Sequence, residues 1–299
     1  MYKPSLYLIR NLTNLHAGSG DTNYGIVDKQ IQRDTASNLP VIHASSLKGA
    51  IRDHMTQKLK AQSDDKTLSK AAKFTLRVIF GDEASTEKKE DETPSGEKKP
   101  DKLDRLPKQG LMTFFEARML FVPMRSDKRP FYHVTSAATL NDARAWLEAL
   151  GVEELWPKLP PSRNVVYDDQ DATIEDTKCT KAPADDTIDS IKKFFGIDHL
   201  AIFGEEEFAA LLESLPVIAR NKLDNGKSVN LWYEEVLPRQ SILVTALSEY
   251  TVFDESDKKD FDNAFKKLHT TLKDDLIQVG GNASVGYGLC RFERKGGEQ

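Results

Sequence analysis

Hydrophobic positions recur along this chain with two different periods. Between residues 2 and 12, Leu6, Leu8 and Leu12 alternate with Tyr7 and Ile9, which predicts a strand buried on at least one face. Behind Ser45 and Ser46, Leu47, Ile51, Met55 and Leu59 recur every four residues, which predicts a helix capped by one of the two serines. Lys48 and Arg52 share another face of that helix. Residues 13–40 are polar and read as loop, and 111–122 as one long strand. Residues 142–150 and 205–215 read as helices, the latter from Phe208, Leu211, Leu212 and Leu215. Two apolar runs, 217–221 and 229–233, flank Asn225-Gly226, a strong hairpin-turn signal. A strand at 242–246 precedes an amphipathic helix marked by Phe261, Ala264, Phe265, Leu268 and Leu272. Strands at 276–279 and 287–293 bracket a glycine-rich loop. Helices and strands interleaved in this way predict an α+β, ferredoxin-like fold.

Two stretches break the pattern. Residues 82–109 are charged, poor in apolar side chains and contain Pro94, Gly96 and Pro100, so they read as a disordered insertion. Residues 168–189 read as a second, mobile insertion. Both fall inside one domain spanning residues 1–299, with a projecting hairpin at about 216–238. No apolar run approaches the ~20 residues that span a bilayer, and the first ten residues lack the pattern of a signal peptide. Cys179 and Cys290 form no metal-ligand pair or disulfide framework. The expected location is cytoplasmic, with no membrane partner.

A net charge of −5 argues against a polyanionic partner until its distribution is considered. Residues 82–105 carry −3 and residues 161–190 carry −5, whereas the first 60 residues carry +4. Local charge sets the field that a phosphate meets. The basic region also holds LHAGSG, VDKQIQRD and SSLKGAIR, within residues 15–52, and a second glycine loop, GGNASVGYG, follows at residues 280–288. Glycine allows a backbone to lie close to a polyanion, and a helix start offers free N–H groups and a positive dipole end. Arg33, Ser46, Lys48 and Arg52, with Gly280, Gly281, Asn282, Ser284, Gly286 and Gly288, are therefore candidates for holding a nucleic-acid backbone. Other nucleotide chemistries fail on detail. GSGDTNYG lacks the Gly-Lys-Ser/Thr ending of a phosphate-binding loop, and GGNASVGYG precedes a strand where a dinucleotide fingerprint precedes a helix.

These motifs, together with LWYEEVLP at residues 231–238, resemble the RAMP superfamily of CRISPR effector proteins. They are most similar to the repeated backbone subunit of type III-B (Cmr) complexes, which cleaves target RNA. The resemblance covers both ends and the LWYEEVLP region. It implies an RNA-recognition-motif-like palm with a hairpin thumb. It also implies head-to-tail copies along a guide RNA, a single-stranded target RNA and other subunits of the Cmr complex as partners. Asp28 occupies the place of an acidic residue that the family requires for cleavage. A carboxylate there acts as base toward the ribose 2′-hydroxyl or holds a divalent metal, magnesium, that neutralises phosphate charge. His16 matches a histidine of the family's early loop, a candidate for proton transfer. Glu234 and Glu235 match an acidic position able to approach a neighbouring subunit's cleavage centre. Asp34 is a rival acid or a turn former, and Trp232 and Tyr233 are either core or hairpin contacts to RNA. Two other functions stay open: a guide-binding scaffold that does not cut, and a guide-processing endoribonuclease.

Overall fold

In a computed structural model, the structure describes residues 2–20, 27–63, 66–82, 106–161, 163–250 and 255–296. The chain begins with β1 (Tyr2–Asn11), β2 (Val41–Ile42), α1 (Ala44–Ala61), α2 (Lys70–Phe80), β3 (Met112–Phe114) and β4 (Ala117–Met124). It continues through β5 (Tyr132–Ser136), α3 (Ala137–Ala149), β6 (Val165–Val166), β7 (Ala172–Ile174), β8 (Thr177–Lys181), α4 (Asp186–Phe195), β9 (Leu200–Phe203) and α5 (Glu205–Glu213). It ends with β10 (Val217–Asp224), β11 (Lys227–Glu235), β12 (Ile242–Tyr250), α6 (Glu255–Asp274), β13 (Leu276–Gln278) and β14 (Leu289–Lys295).

Four strands make the palm. They lie in the order β14-β1-β12-β4 and every neighbouring pair is antiparallel. Read along the chain as β1-α1-β4-β12-α6-β14, this is the β-α-β-β-α-β winding of a ferredoxin-like fold. Its middle strand shows why the opening alternation mattered. Successive side chains of a strand point to opposite faces. Tyr7 and Ile9 enter the core shared with α1, α2 and α6, while Leu6 and Leu8 enter a second core shared with α3 and α4. Both faces of β1 are therefore buried. The sheet face that an RNA-recognition motif leaves open for bases is covered here by α3 and α4.

Several expectations need correction. Residues 168–189, expected as a mobile insertion, hold β7, β8 and the start of α4. Asp185 caps that helix by accepting from the Ile188 N–H at 2.8 Å, and Ile188, Ile191 and Phe195 bury one face. The acidic composition masked this three- and four-residue stripe. The strand expected at 111–122 breaks into β3 and β4, whose registers against β12 differ by one residue. At the break the Phe115 N–H still reaches the Ala246 carbonyl at 3.2 Å, and its ring packs edge-on against Trp146, 5.9 Å between centroids. Neither Ser45 nor Ser46 caps α1, because the helix starts one residue earlier with His43 at the cap position and no side-chain cap bond. Helices α2 and α3 begin instead at serine caps, Ser69 and Ser136. Residues 83–105 of the first expected insertion lie outside the described residues. Among the described residues no helix is long and apolar enough to cross a membrane.

Candidate active site

The stretch expected as loop at 13–40 holds no helix or strand among its described residues, but isolated bridges cross it and assemble the site. Leu15 and Leu237 exchange both backbone bonds at 2.9 Å. Gly18 bridges Ile31, and Gln32 N–H donates to the Ala17 carbonyl at 2.8 Å. Lys29 then pairs in parallel with Glu234 of β11: its N–H donates to the Tyr233 carbonyl at 3.1 Å, and its carbonyl accepts from the Glu235 N–H at 2.9 Å. From the C-terminal side, Gly281 N–H donates to the His16 carbonyl at 2.9 Å. His16, Asp28, the Glu234–Glu235 pair and the glycine loop thus meet at the root of the hairpin β10–β11, whose turn forms at Asn225-Gly226.

Asp28 is half-buried, and its Oδ2 accepts the Tyr233 N–H at 2.8 Å. Of the described residues none partners Oδ1, so one carboxylate oxygen stays available. Asp34 does different work: its Oδ1 accepts from the N–H groups of Ala36 and Ser37 and from the Ser37 hydroxyl. The Ser37 bonds hold its carboxyl below the usual range, and the residue is a turn former.

Both glutamates are buried and fully engaged. Glu234 Oε1 accepts from Lys29 Nζ at 3.1 Å and Trp232 Nε1 at 2.8 Å. Its Oε2 accepts from Asn282 Nδ2 at 2.9 Å and lies 3.2 Å from Arg220 Nε. Burial pushes this carboxyl up, but the bonds from Trp232 and Lys29 and the charges of Lys29 and Arg220 outweigh it, so the net shift is downward. Glu235 takes the Ile31 N–H at 3.1 Å and Arg33 Nη2 at 2.5 Å. Neither carboxylate faces solvent in this chain, and both hold β11 to the Asp28 segment, where a cleavage role was expected for one of them.

His16 is 6% exposed. Its Nδ1 donates to the Glu235 carbonyl at 2.7 Å, and its ring lies against Gly18. A carbonyl can only accept, so Nδ1 carries a proton. The proton-transfer role expected for His16 has no exposed imidazole to carry it.

The RNA-binding candidates divide. Arg33 is spent inside the fold, on Glu235 and the carbonyls of Asn38 and Leu212. The Ser46 hydroxyl accepts from Gln32 Nε2 at 2.9 Å. Lys48 lies 5.9 Å over the Phe114 ring, and burial, then nearby Arg52, push its ammonium below the usual lysine range. Lys48 and Arg52 are both half-buried on α1. In the glycine loop, a Cβ at Gly280 would sit 2.4 Å from the His16 carbonyl oxygen, and one at Gly288 2.0 Å from that of Val279. Both glycines are tight backbone contacts, Gly288 buried and Gly280 exposed, so packing within the chain already requires glycine at these two positions expected to cradle phosphate. Gly281, Ser284 and Gly286 are exposed, and a Cβ at Gly286 would meet nothing.

Sequence reasoning missed Gln32, Arg220 and Tyr287. Gln32 donates to Gly18 and Ser46 and accepts from the His43 N–H. The Arg220 guanidinium lies 5.1 Å over the Tyr287 ring. No local signal marks such residues, because their partners are distant in sequence. No group of three or more His, Cys, Asp or Glu side chains among the described residues could hold a metal ion. Asp28 is a lone carboxylate and does not fit a metal site built by protein alone.

The sequence model of the RAMP superfamily matches residues 8–291. The CRISPR system Cmr endoribonuclease Cmr4 of Pyrococcus furiosus (strain ATCC 43587 / DSM 3638 / JCM 8422 / Vc1) is 28% identical over 322 aligned positions, covering 98% of this chain and 96% of the relative. The crystal structure of oligomeric Cmr4 from Pyrococcus furiosus superposes with a TM-score of 0.68 at 23% identity, over 98% of both chains. A chain from the cryo-EM structure of the type III-B Cmr-beta complex bound to cognate target RNA reaches 0.70 at 20% identity, over 98% of this chain and 97% of its own. The two structures share the fold.

Proposed function

This chain belongs to the RAMP superfamily, and from that premise we propose that it is the repeated backbone subunit of a cytoplasmic type III-B CRISPR effector. Copies stack head to tail along a guide RNA beside other Cmr subunits, and each copy cuts the complementary target RNA, so that cuts recur at regular intervals. Support comes from similarity along nearly the whole length of a named endoribonuclease. The observation that carries the reading is the position of Asp28. It stands at the root of an exposed hairpin with one carboxylate oxygen pinned by a backbone amide and the other unpartnered among the described residues. Strand cleavage by the neighbouring 2′-hydroxyl needs that proton removed while the phosphate lies in line. A pinned carboxylate with a free lone pair suits the first need, and a hairpin that displaces one nucleotide suits the second. The products are then a cyclic phosphate and a 5′-hydroxyl.

A divalent ion such as magnesium would be held mainly by RNA phosphates, with Asp28 the protein carboxylate able to join it, and would neutralise phosphate charge there. Cleavage measured in magnesium and in EDTA tests it. The decisive experiment is to reconstitute the complex, add matched RNA and map the cuts with wild-type chain and with Asp28→Asn. Regularly spaced cuts that vanish in the variant support the reading. Guide and target binding without any cut by wild type would select the non-cleaving scaffold.

A further inference from the structure

The hairpin β10–β11 has almost nothing packed on it. Residues 219–231 are exposed except for Arg220, and Leu223, Val229 and Leu231 are each more than half exposed. A two-stranded hairpin alone is marginal in water, so its angle to the palm depends on contacts at its root. Besides the Asp28 segment, His16 on the Glu235 carbonyl and the Leu15–Leu237 pair, the glycine loop makes contacts there. Arg220 of β10 is held between the Tyr287 ring, 5.1 Å away, and the Glu234 carboxylate, 3.2 Å away. Asn282, in the left-handed region with φ of 63°, aims Nδ2 at Glu234 Oε2 at 2.9 Å. The loop itself is seated rigidly. Gly280 and Gly288 press its ends against the backbone of His16 and Val279 closer than any side chain would allow, and Gly288 N–H donates to the Asn14 carbonyl at 2.8 Å.

We propose that the glycine loop is the thumb's brace, with Tyr287 and Asn282 as positioning residues that set the angle of the hairpin through Arg220 and Glu234. The same Glu234 carboxylate holds Lys29, next to Asp28. The brace therefore fixes where a displaced target nucleotide falls relative to the cutting carboxylate. This consequence rests on the cleavage function proposed above.

The test uses Tyr287→Leu, Tyr287→Phe and Asn282→Ala in the reconstituted complex. Guide affinity, target affinity and the single-turnover rate at saturating target are measured, together with cut positions. Expected is unchanged guide and target affinity for all three. Cleavage falls, or its cut positions scatter, in Tyr287→Leu and Asn282→Ala, on the order of a hundredfold for a misplacement near 1 Å. Tyr287→Phe keeps the ring and stays near wild type. Wild-type rates and cut positions in Tyr287→Leu overturn the proposal. So does a loss of guide affinity with normal cleavage by the loaded fraction, which would restore the phosphate cradle. A second readout does not depend on cleavage. Labels at Lys227→Cys on the hairpin and Gln57→Cys on α1 report the distance between thumb and palm, since Cys179 and Cys290 are buried. Tyr287→Leu should broaden that distance distribution, and an unchanged distribution sinks the brace even if wild type cuts nothing.

Discussion

At the thumb root, the Glu234 carboxylate collects Lys29, Trp232, Asn282 and Arg220, and Glu235 collects Arg33 and a backbone amide. Across the same ladder, Asp28 receives a single backbone amide. All three are carboxylates on adjoining segments, and the resemblance matched Asp28 and one of the two glutamates to acidic positions of the family. A buried charge persists only when its lone pairs are satisfied. The saturated pair holds the thumb root together, and the carboxylate left unsaturated is the one to which the proposed cleavage is assigned. That contrast separates residues that sequence resemblance placed together.

The largest effect that sharpens the contrast is on Asp28. Asp28→Asn keeps the size and the acceptor for the Tyr233 amide but loses the charge. Cleavage in the assembled complex should fall on the order of 100- to 10,000-fold, the range expected for a lost acid–base group. Melting temperature, guide binding and target binding should hold. A variant that still cuts at the wild-type rate removes Asp28 from the mechanism. Glu235→Ala should behave in the opposite way. It leaves Arg33 uncompensated at a site where both side chains are largely buried, a change that costs on the order of 3 kcal/mol. Denaturant melts should show that loss, with cleavage per folded, assembled subunit reduced far less than in Asp28→Asn. A fully stable Glu235→Ala chain with no cleavage would move Glu235 into the chemistry and break the contrast.

The glycine loop offers a finer cut of the same kind. Gly288→Val drives a branched side chain into the Val279 carbonyl, 2.0 Å from the Cβ position, with φ at 73°. Overpacking of this sort costs roughly 1–3 kcal/mol or more, so stability should fall before any binding defect shows in the folded fraction. Gly286→Ala meets no atom, and only its φ of 80° opposes it, a cost of about 1–2 kcal/mol for a left-handed residue. Thermal melts of the two variants should rank them in that order. Equal melts with selectively lost guide affinity in Gly288→Val would mean that phosphate, not the Val279 backbone, sets the need for glycine.

What could be read from the sequence was local. Helix α1 announced itself through Leu47, Ile51, Met55 and Leu59, all buried, the hairpin through Asn225-Gly226, and β1 through its alternation. What stayed hidden depends on distant partners. Residues 13–40 read as loop, and the described ones form no helix or strand, but their isolated bridges to Leu237, Tyr233 and Glu235, some two hundred residues on, left no local signal. The acids at 168–189 hid the Ile188, Ile191 and Phe195 stripe of α4, because a solvated acidic face and a disordered run have the same composition. Asp28 and the glutamates were found by resemblance, the glycine loop by its own composition. Their division into open and saturated groups needed Arg220, Lys29 and Asn282 in space, and scattered opposite charges leave no periodic mark.

The smallest expected effect lies farthest from the site. Removing residues 87–102 takes away a stretch whose only nonpolar side chains are Pro94 and Pro100. The flanks meet in a closed neck. Gly81 bridges Gln109, Asp82 N–H donates to the Lys108 carbonyl at 2.9 Å, and Arg77 pairs with Asp82 at 2.8 Å. Gly81 and Gly110 pack so closely that a Cβ on either would come within 2.7 Å of the other's backbone nitrogen. The described residues on either side, 81–82 and 108–110, are thus already brought together by bonds outside the excised stretch. A shorter connection lowers loop-closure entropy only slightly, since that term grows with the logarithm of length. Melting temperature, guide binding and cleavage should all match wild type. A marked fall in melting temperature would show that this charged stretch packs on the palm, and a fall in cleavage with normal melting would tie it to RNA. Either result would extend the functional surface well beyond the thumb root.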